Sequence, residues 1–256
     1  MPTVGLVIPA FSPDPRALST YVRALDEYLA PETIRIELDD PTPELVGRLA
    51  DLPATVNAFP YRRGKGAAIT DGFEALDTDI LAFADADGST PARSIVDVVT
   101  PLLTGEVDVC VGSRRHPEAV VQSHQTHARR RMGDAFAWLA RRALEADLYD
   151  YQCGAKALTR DAWVTVRQHL YEPGFAWDIE FVAIAAAFEY RIREVPVTWC
   201  DSPNSTVSPV RTAVSMGRSL LTARHRAKRL QDHGLHRALP ADDTTALVDR
   251  QGGTDR

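Results

Sequence analysis

The sequence predicts an α/β domain built on a doubly wound, Rossmann-like sheet with helices on both faces. Three observations carry that reading. Four short apolar runs, Thr3–Ile8, Thr33–Leu38, Ile80–Ala84 and Val107–Gly112, are rich in Val, Ile and Leu and do not alternate with polar residues. That is the pattern of strands buried on both faces of a parallel sheet. Helix-period segments separate the runs, and the residues able to do chemistry follow the strands directly, where open α/β sheets bind ligands.

In chain order, Thr3–Ile8 runs into the loop "VIPAFSPDP", and Pro15–Leu29 follows as a helix whose first turn tolerates its proline. Thr33–Leu38 ends on Asp39 and Asp40, before a helix over Pro43–Leu52. A carboxylate there can accept a hydrogen bond from a base N–H; in the competing reading Asp40 or Thr42 caps the next helix. "YRRGKGAAITDGFEAL" sets Arg62, Arg63 and Lys65 around Gly64 and Gly66 at the start of a helix over Lys65–Leu76. Glycines let backbone approach a phosphate, and a helix N-terminus favours an anion. The spacing is not that of a P-loop, and an exposed basic loop has the same composition.

The run Ile80–Ala84 leads into Asp85, Ala86, Asp87 and Gly88, ahead of a helix over Pro91–Leu103. On extended backbone Asp85 and Asp87 share one side. Two adjacent carboxylates repel and gain nothing from burial. They make sense around a hard divalent cation such as Mg2+ or Mn2+, shared with substrate phosphates. A solvated turn with Asp capping the next helix is the alternative. After Val107–Gly112 come Ser113, Arg114 and Arg115, and later Arg129, Arg130 and Arg131. Arginine forks match phosphate oxygens, although a solvated charged surface reads the same way.

From about 113 to 200 the alternation loosens. Helices over Arg131–Glu145 and Asp178–Glu189 and a strand over Arg191–Val197 are expected. A last helix, Pro209–Leu230, carries Arg211, Arg218, Arg224, Arg226, Lys228 and Arg229 and no acid. It suits an anionic lipid surface, or packs on its own domain with a solvated basic face. The polar stretch after Pro240 reads as a disordered tail.

At 256 residues, 45% hydrophobic and 25% charged, the chain has an ordinary globular composition and room for a sizeable core. Its net charge of −6 argues against a general nucleic-acid partner. Cys110, Cys153 and Cys200 are odd in number and fit no zinc spacing, which points to a reducing compartment. The N-terminus lacks a signal peptide's basic region and apolar core. No window is apolar enough to span a bilayer.

Together, "VIPAF", "DD" after the second strand, "RRGKGAA", "DADGSTP" and "VGSR" resemble glycosyltransferase family 2 in order and spacing. "DYQCGAKALTR", "FAWDIEFVAIA" and "REVPVTW" are similar to its dolichyl-phosphate glucosyltransferase and mannose synthase branch. The resemblance covers roughly residues 3–228. It implies a GT-A fold over 1–206, with a nucleotide-sugar half at about 1–112 and an acceptor half at about 113–206. A basic C-terminal helix at 207–239 and a tail at 240–256 follow.

The same resemblance implies the site residues. Pro9, Ala10, Asp39 or Asp40 and Lys65 bind the donor nucleotide, with Asp40 favoured for the base or ribose. Asp85 meets the ribose or the metal, and Asp87 binds Mg2+ or Mn2+. Arg114 and Arg131 hold the acceptor phosphate, and Gln152, Cys153 and Gly154 form a turn beside the sugar. Asp178 and Glu180 stand where relatives place an acidic catalytic or sugar-binding pair; an N-cap is the plainer role for Asp178.

Three positions depart from the family pattern. Ser12, Pro13 and Asp14 replace the usual Asn-Glu, Ser89 stands where mannose-type relatives have Gln, and Thr206 stands in a Lys position that Arg211 could serve instead. The implied activity is inverting transfer of a hexose, glucose foremost and from UDP-glucose, to a polyprenyl or dolichyl phosphate. It would take place in the cytoplasm or at the cytoplasmic membrane face. The alternative is a family 2 enzyme acting on a soluble glycan or protein. A sugar-nucleotide pyrophosphorylase would need a glycine-rich loop after the first strand, and a sugar-binding module would not need Asp85 and Asp87 with Lys65.

Overall fold

The computed structural model describes residues 1–122, 127–200, 209–231, 233, 236 and 244–250; at 127–132, 134 and 209–216 it describes backbone alone. Strands β1 (Val4–Phe11), β2 (Thr33–Asp39), β3 (Thr55–Phe59) and β4 (Ile80–Ala84) alternate with helices α1 (Pro15–Leu29), α2 (Pro43–Leu49) and α3 (Lys65–Glu74). Next come α4 (Ala92–Leu103), β5 (Val109–Ser113), β6 (Val120–Gln122), α5 (His127–Ala143), β7 (Ala155–Thr159) and α6 (Arg160–Val166). The chain continues through α7 (Trp177–Ala187), β8 (Ile192–Pro196), β9 (Thr198–Cys200) and α8 (Pro209–Leu230).

Seven strands form one mixed sheet in the order β3-β2-β1-β4-β7-β5-β8, and β6 pairs with β9 in a separate parallel pair. Strands β1 to β4 run parallel, β7 runs antiparallel between β4 and β5, and β8 is parallel to β5. Residues along each central strand alternate between two cores. Val7, Leu81, Phe83 and Val111 face α3, α6 and α7, while Leu6, Ile8, Ala82 and Cys110 face α1 and α4. Local sequence sets the helix starts: Asp14 caps α1 by accepting from the N–H groups of Arg16 and Ala17, and Thr42 caps α2. Asp40 is therefore not the cap.

The expected helices Pro15–Leu29 and Pro209–Leu230 and the strand Ile80–Ala84 keep their bounds, and the other expected elements shift by a few residues at one or both ends. Strands β3, β6, β7 and β9 and helix α6 are additions. Strand β3 is a half-exposed edge strand in which Thr55 and Asn57 interrupt the apolar residues, so no apolar run announces it. Strand β7 reads Ala-Lys-Ala-Leu-Thr, and the lysine interrupts the apolar pattern.

Helix α8 packs along α7, burying Leu220, Ala223 and Ala227. Arg224 donates to the Ala143 carbonyl at 2.6 Å, Arg226 pairs with Glu180, and Lys228 pairs with Glu145. Among the described side chains, Arg224, Arg226 and Lys228 thus have partners within the domain. Thr206 and the side chain of Arg211 lie outside the described residues. Within the stretch read as a tail, residues 244–250 turn back onto the domain. There Leu247 is buried and its N–H donates to the Leu170 carbonyl at 2.8 Å.

Candidate active site

The carboxyl ends of β1 to β5 share one edge of the sheet. Because β7 runs antiparallel, its start lies at that edge too, which brings residues 150–154 beside the ends of β4 and β5. Strand β4 stops at Ala84, and the Asp85 N–H donates to the Gly154 carbonyl at 2.9 Å. From Asp85 the chain turns, and Gly88 closes the turn at φ 65°, a left-handed value that favours glycine. Asp85 and Asp87 are therefore on a turn and not on the extended backbone expected of them. They still share one electrostatic field: the phenol of Tyr21 is pushed up by burial first, and then by Asp85 and Asp87.

Asp87 is exposed, with Oδ1 accepting the Ser89 N–H at 2.9 Å. Asp85 is more constrained. Its Oδ1 lies 2.9 Å from Lys65 Nζ, and its Oδ2 fills the space that a side chain on Gly154 would need, since a Cβ there would lie 1.9 Å away. Among the described residues no three His, Cys, Asp or Glu side chains converge as a cation cage. An exposed carboxylate still fits a hard cation that completes its shell with water and phosphate oxygens, so Asp87 fits the role well and the encumbered Asp85 less well.

The loop before α3 departs from expectation. A Cβ on Gly64, at φ 103°, would meet the Pro173 carbonyl oxygen at 2.5 Å, and one on Gly66 would meet that of Glu172 at 2.4 Å. These glycines admit the protein's own 172–174 segment, where a phosphate was the expected neighbour. Asp39 is used internally, accepting from the Arg63 N–H (2.8 Å), the Gly64 N–H (3.0 Å) and Arg63 Nε (2.8 Å). Arg63 also reaches Glu37 and Asp71, at 3.0 and 2.7 Å. Asp40 is exposed. Beside it at the strand ends stand the exposed rings of Phe11 and Tyr61, with the Arg62 guanidinium stacked on Phe11 at 4.1 Å. Sequence reasoning did not single out that aromatic group, although a Phe ending the first strand and a Tyr opening the basic loop are both visible. Pro9 is half-buried and Ala10 buried at the end of β1.

Lys65 extends from the start of α3 to Asp178, the second residue of α7, at 2.9 Å. Asp178 is therefore not an N-cap. Its other oxygen lies 2.6 Å from Nζ of Lys156, a residue the sequence reading passed over. Burial alone would raise the Asp178 carboxyl, but Lys156 and then Lys65 outweigh it and hold it below the usual range. For Lys65, burial pulls down while Asp178 and then Asp85 pull up more strongly, and the ammonium is kept charged.

At the end of β5, Arg114 grips Asp150 in a two-pronged pair, Nε to Oδ2 at 2.6 Å and Nη2 to Oδ1 at 2.9 Å. Burial opposes ionisation of Asp150, yet Arg114 holds its carboxyl at about 2. Burial would lower the Arg114 guanidinium, and Asp150, Cys153 and Asp85 raise it, which sets Arg114 and the acidic turn in one field. Glu194 on β8 fixes the loop by accepting from the N–H groups of Tyr149 and Asp150. The Gln152 N–H donates to Asp150 at 3.0 Å, and Cys153 is buried with its thiol pushed up to about 12 by that burial.

Glu180 does not join this group. Two residues beyond Asp178 on a helix, it faces the other way. It accepts from the N–H groups of Tyr171 (2.7 Å) and Glu172 (2.9 Å) and pairs with Arg226. It ties α8 to the 171–172 segment and does not form the expected acidic pair with Asp178. The Arg131 side chain lies outside the described residues.

The family model described as glycosyl transferase family 2 matches residues 37–164. Glycosyltransferase AglD of Haloferax volcanii is 31% identical over 85% of this chain and 36% of its own length. The dolichyl-phosphate beta-glucosyltransferases of Saccharomyces cerevisiae and Homo sapiens are 27% and 29% identical, over 65% and 64% of this chain and 53% and 52% of theirs. The chain thus spans about half or less of the length of these relatives. A glucosyl-3-phosphoglycerate synthase from Mycobacterium tuberculosis, crystallised with Mn2+ and UDP, superposes with a TM-score of 0.63 at 17% identity, over 90% of this chain and 80% of that one. A mannosyl-3-phosphoglycerate synthase from Rubrobacter xylanophilus gives 0.65 at 17% identity, over 94% and 78%. These likenesses establish the GT-A fold. With the sequence motifs, the strand order and the family match in agreement, the chain belongs to glycosyl transferase family 2.

Proposed function

We propose that the chain transfers a hexose, glucose foremost, from a nucleoside-diphosphate sugar to a polyprenyl-type phosphate, inverting the anomeric carbon in one displacement. The observation that carries this reading is the position of Asp178, with one carboxylate oxygen on the Lys65 ammonium and the other on that of Lys156. A hydroxyl acceptor needs a group to take its proton. Asp178, the carboxylate that relatives' motifs offer for that task, is held between two ammonium groups and is a poor base. A phosphate monoester already carries its negative charge near neutral pH, so orientation suffices. The names of the dolichyl-phosphate relatives support the same acceptor and glucose as the sugar.

In this reading Asp40, Phe11 and Arg62 receive the nucleoside, and Lys65 sets positive charge beside the diphosphate. Arg114, braced by Asp150, orients the acceptor phosphate. Arg131, Gln152 and the turn at Gly154 complete that side. Mg2+ or Mn2+ held by Asp87, with Asp85 behind it, would stabilise the charge that grows on the leaving diphosphate. No helix among the described residues is long and apolar enough to cross a membrane. Contact with an anionic membrane through Arg218 and Leu221, both exposed on α8, goes with the reading. Salt-sensitive co-sedimentation with anionic vesicles tests it.

The decisive experiment measures nucleoside-diphosphate release from UDP-glucose, UDP-N-acetylglucosamine and GDP-mannose, with Mg2+ or Mn2+ and a polyprenyl phosphate. Release from UDP-glucose that requires the phosphate acceptor is the expected result. Transfer to a neutral glycan or a protein, with none to the phosphate, would overturn the proposal.

A further inference from the structure

Lys156 is a lysine inside a central strand. Strand β7 has β4 on one side and β5 on the other, and the side chain is 1% exposed. A buried ammonium is costly unless it is fully partnered, so its presence calls for a reason. It is fully partnered here: Asp178 Oδ1 at 2.6 Å, the Cys153 carbonyl at 2.8 Å, and the face of Phe83 at 5.7 Å. Lys65 lies 5.1 Å from the same ring. The charges alternate from the interior to the edge of the sheet in the order Lys156, Asp178, Lys65, Asp85.

Lys65 is a long, flexible side chain contested by two carboxylates, each at 2.9 Å. A carboxylate with a single cationic partner can turn both oxygens toward it. Lys156 prevents this by holding Oδ1, so Asp178 offers Lys65 one oxygen and leaves it in reach of Asp85. We propose that Lys156 is a positioning residue for the donor site: by fixing the orientation of Asp178 it sets the Lys65 ammonium against Asp85 at the edge of the sheet. The inference rests on the reading of that edge as the donor site. Lys156 touches no substrate in it and acts through Asp178.

A double-mutant cycle tests this with a readout that does not depend on turnover. Binding of UDP in the presence of Mn2+ is measured by calorimetry for the wild type, Lys156→Met, Asp178→Asn and the double variant, with melting temperatures alongside. Methionine keeps the length of the side chain and removes its charge. Expected is a loss of affinity of roughly tenfold or more in Lys156→Met, the scale seen for groups that orient a ligand-holding residue. The double variant should be no weaker than Asp178→Asn, because Lys156 then has nothing left to orient. Wild-type affinity in Lys156→Met, whatever its melting temperature, overturns the inference. So do single losses that multiply in the double variant. If Lys156→Met fails to fold, the comparison of Asp178→Asn with the double variant still decides, since the double removes both buried charges together. A wild-type protein that binds neither UDP nor GDP refutes the donor site itself, and the inference with it.

Discussion

Replacing Gly154 with alanine probes how closely the acidic turn is built against strand β7. A Cβ at this position would lie 1.9 Å from Asp85 Oδ2 and 2.2 Å from its Cγ. Ordinary contact begins at about 3.4 Å, so either Asp85 or the Gly154 backbone must retreat by about 1.5 Å. The backbone is tied down, since its carbonyl accepts the Asp85 N–H at 2.9 Å. The carboxylate is the part that yields, and its 2.9 Å contact with Lys65 goes with it. Misplacing a catalytic group by about 1 Å costs on the order of 100-fold in rate. The overpacking costs about 1–3 kcal/mol, which in a chain this size lowers the melting temperature by roughly 2–12 °C. The assay is the initial rate of nucleoside-diphosphate release, corrected for the folded fraction by circular dichroism at the same temperature. Gly47→Ala in α2 is the control, because a Cβ there meets nothing within 4 Å, and it should be neutral or slightly stabilising. Wild-type turnover per folded molecule in Gly154→Ala would refute the reasoning.

Asp87→Ala should abolish transfer with little change in melting temperature, as the side chain is exposed; activity retained by the variant at the Mg2+ or Mn2+ concentration that serves the wild type would remove Asp87 from the metal site. Because the Asp150 carboxyl sits at about 2 in the folded protein, below its unfolded value, its ion pair stabilises fully above about pH 4 and is lost as pH falls toward 2. The stability gap between wild type and Asp150→Asn in urea should therefore be about 2 kcal/mol near neutrality and shrink over that window; a gap that stays constant contradicts the pairing. Cys110 and Cys153 are buried with thiols pushed up to about 12 by burial, whereas Cys200 is half-exposed. Brief alkylation of the native protein, read by mass spectrometry, should label Cys200 first; labelling of Cys153 before unfolding would show a looser core.

Much of the architecture is legible in the residues because its central strands are buried on both faces and write themselves as apolar runs. The acidic turn after β4 and the basic residues opening α3 are legible for the same reason, since each follows a strand directly. What escaped notice is what depends on partners distant in sequence. Strand β7 hides behind Lys156, whose partner Asp178 is 22 residues away. The resemblance that paired Asp178 with Glu180 gives only their spacing in the sequence, whereas the helix sends them to opposite sides. The glycines around Lys65 signal a close approach correctly, but nothing local identifies the approaching group as the segment at 172–174.

Strand β7 also governs what kind of motion is available. It is hydrogen-bonded to β4 on one side and to β5 on the other, so the half of the chain that carries the acidic turn and the half that carries Arg114 are stitched into a single sheet. A hinge between the two halves would have to tear that seam. Admission and release of substrates must then fall to the loops above the sheet. For the same reason, cutting the chain after β5 would not yield a free-standing nucleotide module. It would leave β4 with a bare, sticky margin in place of a neighbour.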